Sequence, residues 1–199
     1  MSELKIINGS KNLIVCFGGM ALQFGGFLPF EFLNYLSSIY NNTFDLLFYI
    51  DTDQCWYHKG FKNITNDIDE TTSYLNNIIL NGKYEKTLFM GTSAGGYAAI
   101  LYGSLCNVNF VISFFPQTIL ENPINPNYAN LKNIINKNTE YVLYGNKTNK
   151  NKKDLHSIYH CENIECFENV AIIKNVVINM KNLRDSGFIK AMIDGFFTL

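Results

Sequence analysis

The sequence predicts an α/β fold, a three-layer sandwich around a mostly parallel central sheet. Three observations carry this. Short apolar runs alternate along the chain with longer amphipathic segments, the pattern of strands and helices in turn. The apolar runs are continuous rather than alternating, as in strands buried on both faces of a parallel sheet. With 199 residues, 47% of them hydrophobic and 17% charged, the chain can bury a core without disulfides or metals. No internal repeat or low-complexity linker divides it, so one domain is expected over 1–199.

Each element follows in order. Leu4–Asn8 and Leu13–Phe17 read as strands around the turn Asn8-Gly9-Ser10. Phe30–Tyr40 follows Pro29, and proline suits a helix start. Phe44–Ile50 is a strand. Thr65–Leu80 places Ile68, Thr72, Leu75 and Ile79 at helical spacing, with Asp67, Asp69 and Glu70 where a helix dipole favours negative charge. Thr87–Met90 is a strand, Ala94–Leu105 a helix and Val108–Phe115 a strand. Asn127–Asn136 is expected to be a helix, Tyr141–Tyr144 a strand and Asp154–Cys161 helical. Glu165 to Val177 is strand-like, and the tail from about Asn182 is helical. Ligands of such sheets bind at the C-terminal strand ends.

Composition narrows the function classes. A net charge of -1 and the lack of a Lys/Arg block argue against nucleic acid as a partner. The N-terminus, Met1 to Ile7, has neither a basic region nor a long apolar one, and the longest apolar runs are too short to span a membrane. A soluble cytoplasmic protein with no membrane span is the expectation. The five cysteines, at 16, 55, 106, 161 and 166, make no disulfide framework. His160-Cys161 with Cys166 matches no zinc spacing, so neither metal nor cofactor is expected. Asn, Ile and Lys abound in the manner of an AT-rich coding bias, so Asn146–Asn151 carries little functional weight.

The stretch Leu88–Ala99 is the most informative. It contains Gly91-Thr92-Ser93-Ala94-Gly95, a Gly-x-Ser-x-Gly motif between an apolar strand and a helix. In that setting Ser93 is held in a strained conformation at the apex of a sharp turn. Gly91 and Gly95 stand where a Cβ would collide, and Gly96, Ala98 and Ala99 let the helix approach the sheet. Ser93 Oγ then projects above the strand ends, and the N–H of Ala94 points toward developing negative charge. The plainer alternative is a glycine-rich turn whose serine caps the helix. A phosphate-binding loop is disfavoured, because neither a Gly-Lys-Ser/Thr ending nor dinucleotide glycine spacing is present.

On these residues the chain resembles the α/β-hydrolase superfamily, in particular its small, lidless serine esterases and thioesterase-like members. The resemblance implies that Ser93 is the nucleophile of a serine hydrolase or acyltransferase. It implies an oxyanion hole from Ala94 and from Gly19 or Met20, in the loop Gly18-Gly19-Met20 after Leu13–Phe17. It also places the acid after Tyr141–Tyr144 and the loop Gly145–Lys153, at Asp154, a residue that reads equally as a helix cap. Asp51 and Asp53 read as substrate-loop or capping residues.

The histidine departs from the pattern. The resemblance calls for it after the last strand, yet no histidine lies beyond His160. Ending that strand at Ile173 puts Lys174 in the slot, and ending it at Ile178 puts Asn179 or Lys181 there. The candidate bases are therefore His156, His160, His58, Lys174 and Lys181, with His156 favoured and Asp154 orienting it. The alternative is a catalytically inactive binding protein on the same fold. The length leaves little room for a lid, and the one sizeable insertion is Pro116–Thr139. An open site suits an acyl ester on a bulky carrier, such as a glycan or carrier protein, with Trp56, Tyr57, Phe24 and Phe27 as an apolar rim.

Overall fold

The computed structural model describes residues 2–20, 30–147, 154, 156–174 and 179–198. Its strands are β1 (Glu3–Ile6), β2 (Asn12–Phe17), β3 (Asp45–Tyr49), β4 (Lys86–Thr92), β5 (Phe110–Phe114), β6 (Glu140–Tyr144) and β7 (Val170–Ile173). They form one sheet in the order β1-β3-β2-β4-β5-β6-β7. Only β1 runs antiparallel, against β3; every other pairing is parallel. The helices are α1 (Leu33–Tyr40), α2 (Ile68–Gly82), α3 (Ala94–Leu105), α4 (Met180–Asp185) and α5 (Phe188–Thr198).

The two-residue period of the strands divides the core into two layers. Leu13, Val15 and Phe17 of β2 point to the face covered by α2 and α3, where Ile68, Leu75 and Tyr97 to Tyr102 are buried. Ile14 and Cys16 point to the other face, against Leu36 of α1 and Ile189 and Ile193 of α5. Helix α3 is buried from Ala94 through Ser104, which is why its sequence is small or apolar all round. Asp67 caps α2 by accepting the N–H of Glu70 at 2.8 Å. The expected three-layer sandwich with a mostly parallel sheet is what the chain forms.

Several local expectations change. The turn Asn8-Gly9-Ser10 does not pair its two strands, because β3 lies between β1 and β2. Asp45 Oδ1, at the start of β3, takes the N–H groups of Asn8 at 2.7 Å and Ser10 at 3.1 Å, and so ties the turn to a different strand. The helix expected over Asn127–Asn136 is instead two 3-10 turns, Pro126–Tyr128 and Leu131–Asn133. Asn125 and Asn130 each offer a side-chain oxygen to the backbone two residues on, which restarts the turn in place of a continuous helix. The segment expected to be helical over Asp154–Cys161 begins at Ile158 and is a 3-10 helix to Ile164, capped by Ser157. The last strand ends at Ile173 rather than Ile178; residues 175–178 lie outside the described ones. No helix among the described residues is long and apolar enough to cross a membrane.

Candidate active site

The turn from β4 into α3 is built from close backbone approach. Ser93 adopts φ 56° and ψ -118°, a left-handed-side conformation that costs an L-residue of order 1–3 kcal/mol. Surrounding contacts hold it there. A Cβ on Gly91 would lie 2.2 Å from the Gly95 carbonyl oxygen, and one on Gly95 would lie 2.0 Å from that of Phe17. A Cβ on Gly96 would meet Ser113 Oγ at 2.6 Å. Ser93 N–H donates to the Phe114 carbonyl at 2.8 Å, fixing the apex to the end of β5. Ala94 opens the helix directly after it.

The loop after β2 lies alongside. Gly18 N–H donates to the Tyr49 carbonyl at 2.9 Å and so continues the sheet. Gly19 comes next, and a Cβ built on it would lie 3.8 Å from Ser93 Cβ. Its N–H donates to Glu31 Oε2 at 3.2 Å. Met20 borders the same cavity, and its carbonyl accepts from Gln54 Nε2 at 2.8 Å.

His156 Nε2 stands 3.3 Å from Ser93 Oγ. The placement comes from the segment after β6. Asn146 N–H donates to the His156 carbonyl at 3.1 Å and Ile158 N–H to the Asn146 carbonyl at 3.0 Å, extending β6 by one parallel bridge. Gly145 permits this approach, since a Cβ there would lie 2.8 Å from Ile158 Cα. The imidazole stands edge-on to Phe115, ring centres 5.7 Å apart. Asp154 Oδ1 accepts the backbone N–H of His156 at 3.0 Å.

The other candidate bases are engaged elsewhere. His160 Nε2 donates to the Asp154 carbonyl at 2.9 Å. His58 is buried. Asn125 N–H donates to its Nδ1 at 3.1 Å, so the proton sits on Nε2 and goes to Tyr97 Oη at 2.9 Å. Tyr97 in turn donates to the Tyr128 carbonyl at 2.7 Å. Burial pushes the His58 pKa down to about 4, so it is a neutral core residue. Lys174 pairs with Glu165 at 2.5 Å and Lys181 with Asp185 at 2.5 Å.

The expected rim is also revised. Tyr57 is fully buried, its hydroxyl donating to the Gly18 carbonyl at 2.8 Å, because the loop folds inward. Trp56 Nε1 reaches Gln117 Oε1 at 3.3 Å. Phe24 and Phe27 lie outside the described residues. Asp51 is a loop brace, accepting the N–H groups of Asp53, Cys55 and Tyr57, while Asp53 pairs with Lys62 at 3.5 Å.

Ser93 and His156 open into a cavity of about 940 Å³. Phe30, Phe32, Leu33 and Tyr35 supply its apolar wall, and Glu31 and Arg184 supply charge. Burial pushes the Glu31 carboxyl up from its ordinary range; the Thr92 hydroxyl, the Gly19 N–H and the Arg184 guanidinium pull it back. Sequence reasoning passed over both charged residues. Glu31 does stand out as the single charge in an aromatic run from Phe24 to Phe32, and Arg184 is the sole arginine in a chain whose other cations are lysines.

No protein-family model matches the chain, and no curated protein is significantly similar to it in sequence. Solved structures do match in shape. A "bifunctional GH43-CE" protein of Bacteroides eggerthii superposes with a TM-score of 0.59 at 17% identity, over 96% of this chain. This chain spans only 32% of that protein's length. An esterase of Pyrococcus furiosus matches with a TM-score of 0.61 at 12% identity, over 98% of this chain and 86% of the other. An α/β-hydrolase enzyme from the metagenome of lagoon sediments at Mar Chica, Morocco, matches at 0.58 and 12% identity, over 98% and 94%. At these identities the likeness is one of architecture, and the architecture is the α/β-hydrolase fold.

Proposed function

We propose that the protein is a serine hydrolase or acyltransferase that works through an acyl-enzyme on Ser93. One observation carries the reading: His156 Nε2 lies 3.3 Å from Ser93 Oγ, with Ser93 in the strained elbow conformation. His156 takes the Oγ proton as Oγ bonds to the acyl carbonyl carbon. The carbonyl electrons move onto oxygen, which the N–H groups of Ala94 and of Gly19 or Met20 stabilise. Collapse breaks the ester C–O bond, and the leaving alcohol receives the proton from His156 Nε2. Water, or an acceptor alcohol in the transfer case, then repeats the steps in reverse. Asp154 supports His156 by anchoring the backbone that carries it. The cavity beside Ser93 takes an acyl ester whose apolar part lies on Phe30, Phe32 and Tyr35. A bulky carrier, and a cytoplasmic setting, belong to the same proposal.

The test is covalent labelling with a fluorophosphonate. Wild type is expected to label and Ser93→Ala not at all. His156→Ala should slow labelling by about a thousandfold, the scale on which a general base acts together with its nucleophile. Failure of folded wild type to label would favour the inactive binding protein. Full labelling of His156→Ala would remove His156 from the base position.

A further inference from the structure

The cavity beside Ser93 is lined by three charged side chains that the acyl-transfer chemistry leaves unused, Glu31, Arg184 and Asp185, of which Asp185 is paired with Lys181. Glu31 stands just ahead of α1, between Phe30 and Phe32, half-buried, with the Thr92 hydroxyl, the Gly19 N–H and the Arg184 charge acting on its carboxyl. Its Oε2 takes the N–H of Gly19 at 3.2 Å. Gly19 in turn abuts Ser93: the Cβ position of Gly19 is 3.8 Å from Ser93 Cβ and 3.9 Å from Glu31 Oε2. A donor placed to hold a developing oxyanion therefore already holds an anionic oxygen of the protein itself. The two oxygens make the same demand on that N–H and cannot share it in line. Arg184 lines the same cavity and its charge acts on Glu31. Among the described residues its guanidinium has no ion pair within 4.0 Å.

We propose that Glu31 is a carboxylate latch on the oxyanion hole, resting on the Gly19 N–H until a substrate acyl oxygen displaces it toward Arg184. The proposal rests on the acyl-transfer reading of Ser93. It adds a rule of substrate selection. A small acyl donor must displace the latch with the carbonyl alone. A donor whose remainder covers Phe30, Phe32 and Tyr35 brings apolar binding energy that drives the same displacement. The latch therefore favours esters with an extended apolar portion over short ones.

Labelling rates with a small fluorophosphonate test this directly. They are compared at one pH, because the Arg184 charge acts on Glu31, Glu31 in turn acts on Cys16 and Tyr57, and His156 and Asp185 border the same cavity. Glu31→Ala is expected to label about tenfold faster than wild type, Glu31→Gln to fall between them, and Arg184→Gln to label more slowly. A gain in rate cannot come from a damaged fold. Labelling of both Glu31 variants at or below the wild-type rate, with intact circular dichroism, would overturn the latch. A second readout does not depend on Ser93 reactivity. The Gly19 amide resonance should follow a carboxyl titration in wild type and Ser93→Ala, and lose it in Glu31→Gln. A Gly19 amide indifferent to Glu31 overturns the latch even in a reactive enzyme. One that follows Glu31 in a protein that never labels leaves the Glu31–Gly19 contact standing and overturns the hydrolase reading, and with it the latch.

Discussion

The elbow at Ser93 and the segment carrying His156 supply the two halves of one candidate site, yet they are held in different ways. The elbow is fixed by backbone pressed on backbone, with Gly91 and Gly95 at positions where no side chain fits. The His156 segment is held by a parallel bridge between Asn146 and Ser157 and by hydrogen bonds through Asp154, and His156 itself is exposed. Position explains the contrast. Ser93 follows the central strand β4, whereas His156 follows β6, two strands away. Strand spacing makes that roughly 10 Å, and the His156 imidazole stands edge-on to Phe115, just past the end of β5, between the two. Ser93 is held by a tight turn and by the strands on either side of β4, whereas His156, brought from two strands away, depends on the order of the whole sheet.

The sharpest break in that comparison is Gly95→Ala. Its Cβ would meet the Phe17 carbonyl oxygen at 2.0 Å, so a loss of about 3 kcal/mol or more is expected, read by urea unfolding or as absence of soluble protein. A wild-type-like midpoint would show the elbow to be more yielding than its contacts indicate.

The histidines carry the contrast into pH dependence. His58 has its pKa held at about 4, below its ordinary 6.5, so the unfolded chain takes up the proton first. The stability from its neutral form is complete above about pH 6.5 and is lost as pH falls toward 4, by roughly 2–3 kcal/mol at most. Denaturant unfolding across that range should show this slope in wild type and a flatter one in His58→Gln. An unchanged slope would mean that other groups set the acid sensitivity.

Gly145→Ala is the counterpart to Gly95→Ala in the second region. Its Cβ would lie 2.8 Å from the Cα of the buried Ile158, a contact the segment can relieve by shifting at its exposed His156 end. The expected stability loss is about 1–2 kcal/mol, with fluorophosphonate labelling falling further than stability because His156 moves with the segment. Equal losses in both would show that the segment is as rigid as the elbow.

The smallest stability effect is expected from Asp154→Asn, which keeps an oxygen for the His156 N–H. The melting temperature should move by no more than about 2 °C. Any larger fall in labelling would then report the charge of Asp154 acting on His156, whereas Asp154→Ala would add the loss of the backbone anchor.

The fold was largely legible in the sequence. Uninterrupted apolar runs separated by amphipathic segments require a buried parallel sheet, and six of the seven strands pair in that way. Local chemistry with more than one partner was harder to read. The asparagines at 125 and 130 broke the expected helix over 127–136 into capped turns, and Asp45 drew the Asn8–Ser10 turn away from a hairpin. Tyr57 read as rim but lies in the core, because aromatic residues suit either place until the course of the loop is known.

The same division holds in the site. The motif over residues 91 to 96 marks its own turn in the sequence, because only small residues fit where the backbone closes on Phe17, Ser113 and Phe114, and the sequence by itself therefore determined where Ser93 would stand. Which of three histidines faces it is a matter of strand order and loop path, and a list of residues does not contain these. Only the tertiary structure brought His156 to Ser93, withdrew His58 into the core and set Glu31 against Gly19. Each of those contacts joins segments more than ten residues apart, and long-range packing rather than local preference decides them.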